Sequence, residues 1–226
     1  MKTTIRKGVF ETNSSSVHTI AIDAPNDNMQ MTCDHTVVLG NGEYNWGPDY
    51  YDTIDARIDY LYQGILCSLG IEVNEPKRDG RDGYDGYYCR YSFNDDIDFK
   101  LKNFNERIAW LKAFLDKHGI RYVMPDKARV EESSYEYNGE THVYKCIRFY
   151  NEADSTVTYN GYIDHGDRCI DMILALMSDE SLLERYVFGN TVIFEYNDNT
   201  DDEDDTYVNE ISAAEMNGAT IFIKGN

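Results

Sequence analysis

Three stretches of the chain carry apolar residues at helical spacing. In the clearest one, the apolar positions fall three or four residues apart on one face: Ile54, Ile58, Leu61, Ile65 and Leu69. The charged and amide residues lie off that face: Asp55, Arg57, Asp59 and Gln63. This spacing predicts three amphipathic helices, near residues 49–69, 98–118 and 167–186. Pro48 suits the start of the first helix, and Asp167 suits the N-terminal cap of the third.

Between these helices, apolar and polar residues alternate with the period of a β-strand. The stretch Val17–Ile22 alternates in this way, and Ile5–Phe10 does so more weakly. Asn138-Gly139 is a turn signal that predicts a hairpin over residues 129–150, and Asn160-Gly161 predicts a shorter one. Alternation of hairpins with amphipathic helices predicts an α+β fold with a mixed, largely antiparallel sheet. We expect a single domain, with residues 125–130 as the place where it could subdivide.

The charge of the chain restricts its partners. Its 226 residues include 21 basic and 41 acidic ones, which gives a formal net charge of −20. Nucleic-acid phosphates and anionic lipid headgroups repel such a chain, so we expect neither direct nucleic-acid binding nor membrane binding. A basic protein surface is the partner that this charge favours. No apolar run approaches the length of a membrane span, so we expect a soluble, cytoplasmic protein.

The acidic residues are most concentrated near the C-terminal end. The block consists of Asp201, Asp202, Glu203, Asp204 and Asp205. Like charges at this density repel one another, so the block is expected to be an extended, solvated loop. It is our candidate for the partner-binding segment.

A second candidate site lies in the N-terminal stretch, where side chains with chemical function are dense. A polar turn between two predicted strands could offer hydroxyl and backbone N–H groups to an anion, with a cation nearby. The residues concerned are Arg6, Asn13, Ser14, Ser15, Ser16 and His18. A serine and a histidine can also form a nucleophile–base pair. Neither a G-x-S-x-G turn nor an acidic partner for the histidine accompanies them, so the local chemistry favours a serine-rich hairpin turn with a surface histidine.

The same stretch carries a family resemblance. The run Gly8-x-Phe10-Glu11-Thr12-Asn13-Ser14-Ser15-Ser16-x-His18 resembles the N-terminal signature of a group of uncharacterised bacteriophage and mobile-element proteins. The resemblance covers about residues 5–22. It implies a phage-type origin and a shared N-terminal site, and it implies no particular activity.

No metal site or cofactor is predicted from the sequence. The cysteines are scattered and form no C-x-x-C pair: Cys33, Cys67, Cys89, Cys146 and Cys169. The Asp-Gly repeats in residues 79–86 lack calcium-loop spacing. The run Asp164-His165-Gly166-Asp167 is interpreted as a turn and a helix cap rather than as a ligand set. No residue is assigned a catalytic role.

Two hypotheses about function follow, one of a binding protein and one of a ligand-binding protein or enzyme. In the first, the acidic chain docks on a basic, nucleic-acid-handling protein, imitates phosphates and inhibits or sequesters it. The phage-type resemblance makes a host defence protein the natural target class. In the second, the N-terminal loop holds a nucleotide or another phosphate ligand, with His18 as acid or base. We place the binding protein first and keep the ligand-binding protein or enzyme as the alternative. The sequence does not determine the oligomeric state.

Overall fold

A computed structural model describes most of the chain. The described residues are 16–23, 29, 32–44, 50–67, 72–74, 88–90, 97–137, 139–151, 162–163, 170–197 and 205–224. Five helices and twelve strands lie within them. The fold is α+β with mostly antiparallel strand pairing, as the sequence predicts.

The helices follow the apolar periodicity, with two corrections. Their bounds are α1 Ile54–Cys67, α2 Ile97–Lys117, α3 Ile170–Ser178, α4 Glu180–Phe188 and α5 Asp205–Met216. The prediction that the first helix begins just after Pro48 is wrong, because Tyr50–Tyr51 is a short strand. Helix α1 begins after Thr53, whose hydroxyl accepts a hydrogen bond from the amide of Ala56 at 3.2 Å, as N-terminal caps do.

The third predicted helix is two helices. Asp179 separates α3 from α4, and its backbone is extended at φ −136°. Its carboxylate accepts a hydrogen bond from the amide of Leu182 at 3.1 Å, so it caps the new helix. The apolar spacing continues across this break, which is why the pattern predicts one helix. The predicted cap, Asp167, lies outside the described residues.

Within the described residues the strands form four sheets, where the sequence predicts one. In chain order they are β1 Ser16–Ile22, β2 Thr36–Val38, β3 Glu43–Tyr44, β4 Tyr50–Tyr51, β5 Glu72–Asn74, β6 Tyr88–Arg90, β7 Arg121–Val123, β8 Lys127–Tyr137, β9 Glu140–Tyr150, β10 Tyr162–Ile163, β11 Val192–Asn197 and β12 Thr220–Lys224. Two four-stranded sheets, ordered β12-β1-β11-β4 and β5-β6-β9-β8, are antiparallel. Two strand pairs, β2 with β7 and β3 with β10, are parallel.

The hairpin predictions have different outcomes. The one at Asn138-Gly139 is confirmed, because β8 and β9 pair along their full length and Gly139 has a φ of +80°. The turn of the shorter hairpin, at residues 160–161, lies outside the described residues, as does the weak strand at 5–10. The predicted strand at 17–22 is β1, and it pairs with β11 and β12.

Helix α1 is the centre of the core. Apolar side chains on all its sides are fully buried, among them Tyr60, Leu61, Tyr62 and Ile65. Of the four polar positions that the sequence places off the apolar face, only Asp55 is partly exposed, and three are buried: Arg57, Asp59 and Gln63. The expectation of one apolar and one polar face is therefore wrong for this helix. Helices α2, α3 and α4 and strands β2, β5 and β10 all pack against it, so little of its surface is left for water.

Candidate functional site

The candidate site is built where residues 33–44, which we call the strap, cross helix α1. Strand β2 holds the strap in place, because it pairs with β7 and places Thr36 beside Arg121. The amide of Leu39 extends this pairing with a hydrogen bond of 2.9 Å to the carbonyl of Val123. The guanidinium of Arg121 also donates to the carbonyl of Asp34. One side of the strap is thus fixed by its pairing with β7.

On its other side the strap is bound by a buried carboxylate. Asp59 of α1 is only 5% exposed. Its oxygens accept hydrogen bonds from the amide of Gly40, from the amide of Gly42 at 2.8 Å and from Gln63 Nε2 at 2.8 Å. The Tyr44 hydroxyl is the fourth donor, and it shares its one proton between Asp59 Oδ2 at 3.1 Å and the carbonyl oxygen of Ala56 at 2.9 Å. All four donors are neutral groups, and three of them belong to the strap. The carboxylate therefore acts as the common anchor of three strap residues.

The two glycines of the strap are required for different reasons. Gly40 has a φ of +89°, a left-handed conformation that side chains disfavour. Gly42 lies so close to α1 that a Cβ there would overlap Oδ2 of Asp59, and it would come within 2.8 Å of the Tyr44 ring. The absence of a side chain at Gly42 thus lets the backbone approach the carboxylate.

Burial and hydrogen bonding act on the pKa of Asp59 in opposite directions. Burial raises the pKa of this carboxyl, while the donated hydrogen bonds from Gly40, Gln63, Gly42 and Tyr44 partly offset the rise. Burial, with the nearby Asp59 charge, raises the pKa of Tyr44 far above its usual range, so its hydroxyl remains a donor at all ordinary pH values.

At the start of the strap, four functional side chains converge on the first turn of α1. His35 Nε2 lies 2.8 Å and 2.9 Å from the two carboxylate oxygens of Asp55. His35 Nδ1 lies 3.2 Å from Oδ1 of Asp34. The Sγ atom of Cys33, a free thiol, lies 3.7 Å from Nδ1 and 3.8 Å from Nε2 of the same ring. A thiol, an imidazole and two carboxylates therefore meet at one point on the surface.

The charges in this cluster favour an imidazolium. Hydrogen bonding to Asp55, and then to Asp34, raises the pKa of His35, and the histidine in turn lowers the pKa of Asp34. The ion pair is exposed to solvent, with 55% of the His35 side chain and 45% of the Asp55 side chain accessible. Solvent screening leaves such a pair little net stabilising effect, so stability alone does not explain the arrangement.

A second convergence of this kind lies between α2 and α4. His118 Nε2 is buried and lies 3.3 Å from Glu184 Oε1, and its ring packs on Phe188. The ammonium of Lys117 lies 2.7 Å from Glu180 and 3.4 Å from Glu184. Because the Lys117 ammonium lies between these two carboxylates, the group is an ion-pair network that joins α2 to α4.

The residues predicted as sites from the sequence fall mostly outside the described part of the chain. This holds for Arg6, Asn13, Ser14 and Ser15, and for Asp201, Asp202, Glu203 and Asp204. Ser16 and His18 lie in β1, opposite Asn197 and Glu195 of β11, and their side chains are not described. Asp205 is the first residue of α5 and so belongs to a helix rather than to the extended loop we expected.

Sequence reasoning missed Cys33, His35, Asp55 and the buried Asp59. A signal for the first two was present, since Cys33-x-His35 places a thiol and an imidazole two residues apart. Their carboxylate partner lies 20 residues further along the chain, and only the start of α1 at Ile54 brings it into reach. The spacing of cysteines alone could not reveal such a site.

Comparison with known proteins adds no relative. No family model, curated protein or solved structure matches the chain. Among the described residues, no helix has both the length and the apolar character that crossing a bilayer demands.

The Asp59 anchor makes a direct prediction about stability. Replacing Asp59 by Asn removes one acceptor oxygen and turns an amide N–H₂ toward the donors of the strap. Leaving buried donors unpaired is expected to lower the free energy of unfolding by about 2–4 kcal/mol. Urea unfolding measures this, with Glu215→Gln, an exposed position, as a control that should stay within about 0.5 kcal/mol of the wild type. An equally small change for Asp59→Asn would contradict the anchoring role.

Proposed function

We propose that the protein is an acidic binding protein that docks on a basic, nucleic-acid-handling partner and inhibits or sequesters it. The observation that carries the proposal is the net charge of −20. A phage-type origin, which the N-terminal resemblance implies, makes a host defence protein the favoured target. The protein would bind its partner through its electrostatic field and its surface, without catalysing a reaction.

The use of the arginines supports this proposal. Arg57 donates to the carbonyls of Val187 and Gly189 at 2.9 Å and 2.5 Å. Arg185 donates to the carbonyl of Asp23 at 2.8 Å. The acceptors of these hydrogen bonds are main-chain carbonyls, which carry no net charge, and the nearby carboxylates of Asp52 and Asp23 act on Arg57 through space. Arg121 is used in the same way against the strap.

Several exposed carboxylates lack an ion-pair partner among the described residues. Asp98 and Asp171 lie in the first turns of α2 and α3, where the helix dipole stabilises them without a cation. Glu215 lies exposed near the end of α5. Such carboxylates remain available to a basic surface, and together with the 201–205 block they give the protein a long-range attractive field.

The proposal predicts how binding depends on salt and on the acidic block. Exposed charges of this kind raise the rate of association with an oppositely charged surface but add little to the energy of the final contact. Salt weakens their attraction, because the Debye length is about 8 Å at physiological ionic strength. Duplex-DNA-binding proteins from a bacterial lysate serve as the pool of candidate partners. Association and dissociation rates are then measured with the purified partner by a surface-based method. Changing Asp201, Asp202, Glu203, Asp204 and Asp205 to Asn or Gln should slow association at low salt and leave dissociation nearly unchanged.

A charge-matched control separates the block from the total charge. It neutralises five other exposed acids: Asp98, Glu106, Glu140, Asp171 and Glu215. We expect this control to slow association less than the block variant does. Equal rates for the two variants would remove the special role of the block. Binding that responds neither to salt nor to competing duplex DNA would reject phosphate imitation itself.

A second candidate function is binding of a nucleotide or another phosphate ligand by the N-terminal loop. The observation that favours it is the position of β1, which lies between β11 and β12 and is not an edge strand. Strand β1, which begins at Ser16, is therefore fixed on both sides, and binding residues are often positioned by such a rigid scaffold. Arg6, Asn13, Ser14, Ser15, Ser16 and His18 would hold the phosphate.

Thermal-shift measurements with nucleotides and inorganic phosphate test this second candidate. A ligand that binds only the folded protein raises its melting temperature. We expect the shift in the wild type and its loss in the double variant Ser15→Ala, His18→Ala, with nearly equal melting temperatures in the absence of ligand. The matched control, Ser134→Ala with His142→Ala in the β8–β9 hairpin, should keep the shift. A large loss of stability in the first variant would show that these residues serve the fold.

A further inference from the structure

We propose that Cys33, His35 and Asp55 form a binding site for Zn²⁺. Each of the three offers one ligand atom, and these atoms lie within 4.8 Å of one another. The thiolate, the imidazole and the carboxylate are the three side-chain ligand types that zinc takes in proteins. None of these three residues belongs to the acidic block or to the N-terminal site residues, so the proposal goes beyond the functions proposed above.

The spacing of the atoms fits a tetrahedral metal. With bonds of about 2.3 Å to sulfur and about 2.0 Å to nitrogen or oxygen, ligand atoms at the corners of a tetrahedron lie about 3.3–3.6 Å apart. Cys33 Sγ lies 3.8 Å from His35 Nε2, and His35 Nε2 lies 2.8 Å from Asp55 Oδ1. All three ligand atoms lie within 4.8 Å of one another, so side-chain movements of about an ångström bring them to tetrahedral separations around an ion.

The other ring nitrogen of the histidine has the partner that a zinc ligand needs. A metal-bound histidine almost always donates its second N–H to a carboxylate, a carbonyl or water, which fixes the ring. His35 Nδ1 lies 3.2 Å from Oδ1 of Asp34. With Nε2 on the metal, Asp34 is thus a positioning residue for the ring. Arg121 holds the backbone of Asp34, and Asp59 holds the strap further along, so the ligands are preorganised.

Binding is an exchange of the metal for protons. The incoming Zn²⁺ takes the place of the thiol proton of Cys33 and of the Nε2 proton of His35, both of which pass to water. Three protein ligands leave the fourth corner of the tetrahedron for a water molecule or an external ligand, as in zinc sites that are open to solvent. The exposure of His35 and Asp55 gives that corner access to the solvent.

Two other interpretations of clustered side chains are weaker. A Cys33–His35 nucleophile pair needs the sulfur in line with one ring nitrogen, yet Sγ lies almost equally far from Nδ1 and Nε2. The group of His118, Glu180 and Glu184 contains Lys117, whose ammonium occupies the carboxylates where a metal would bind.

Titration with Co²⁺ and Zn²⁺ tests the proposal on the full chain, produced without a polyhistidine tag. Co²⁺ bound by a thiolate gives a sulfur-to-metal charge-transfer band in the near ultraviolet, and Zn²⁺ should abolish it, since it binds such sites more tightly. Zn²⁺ alone should also raise the melting temperature. Cys33→Ser, His35→Ala and Asp55→Asn should each weaken Zn²⁺ binding by more than about 100-fold, and Asp34→Asn by about 10- to 100-fold.

Glu180→Gln is the matched control, because it removes an exposed carboxylate from the other cluster. It should leave the affinity unchanged. Melting temperatures recorded in the presence of a chelator distinguish loss of the metal ligands from loss of the fold. Under those conditions the ligand variants should have the melting temperature of the wild type. The proposal is overturned by the absence of the thiolate band in the wild type, by a Zn²⁺ affinity that survives Cys33→Ser, or by its loss in Glu180→Gln.

Discussion

A carboxylate buried in the core must find hydrogen-bond donors, and Asp59 finds most of its donors in one short segment. The amides of Gly40 and Gly42 and the hydroxyl of Tyr44 all donate to it. Because unpaired buried groups are costly, the helix and the strap can only be stable together. The strap then carries Cys33 and His35 to the first turn of the same helix, so the geometry of the candidate metal site depends on this one anchor.

On the opposite side of α1, a buried cation joins the helix to its neighbour as the buried carboxylate does on the first side. Arg57 is 6% exposed and donates to main-chain carbonyls at the end of α4. Carbonyls at a helix C-terminus lack partners within the helix and carry its negative partial charge, so a guanidinium suits them. Tyr186 of α4 returns a hydrogen bond of 2.8 Å to the carbonyl of Arg57. The two buried charges of α1 thus join it to the strap on one side and to α4 on the other.

The sequence could predict those features of the fold that depend on residues close together in the chain. Apolar spacing placed all the main helices, and Asn138-Gly139 placed the long hairpin, because both are local signals. The burial of Arg57 and Asp59 could not be predicted in this way, since a polar residue off an apolar face is usually solvated and only tertiary packing covers it here. The break at Asp179 could not be predicted either, because the apolar spacing continues across it. The meeting of Cys33 and His35 with Asp55 requires the path of the strap, which no local pattern contains.

Native-state hydrogen exchange at the amides of Gly40 and Gly42 tests the anchor most directly. If the strap and α1 are one cooperative unit, these amides open only with the helix, and their exchange free energies should equal those of buried α1 amides such as that of Leu61. Exchange of the two glycine amides through a local opening, while the α1 amides stay protected, would contradict the account.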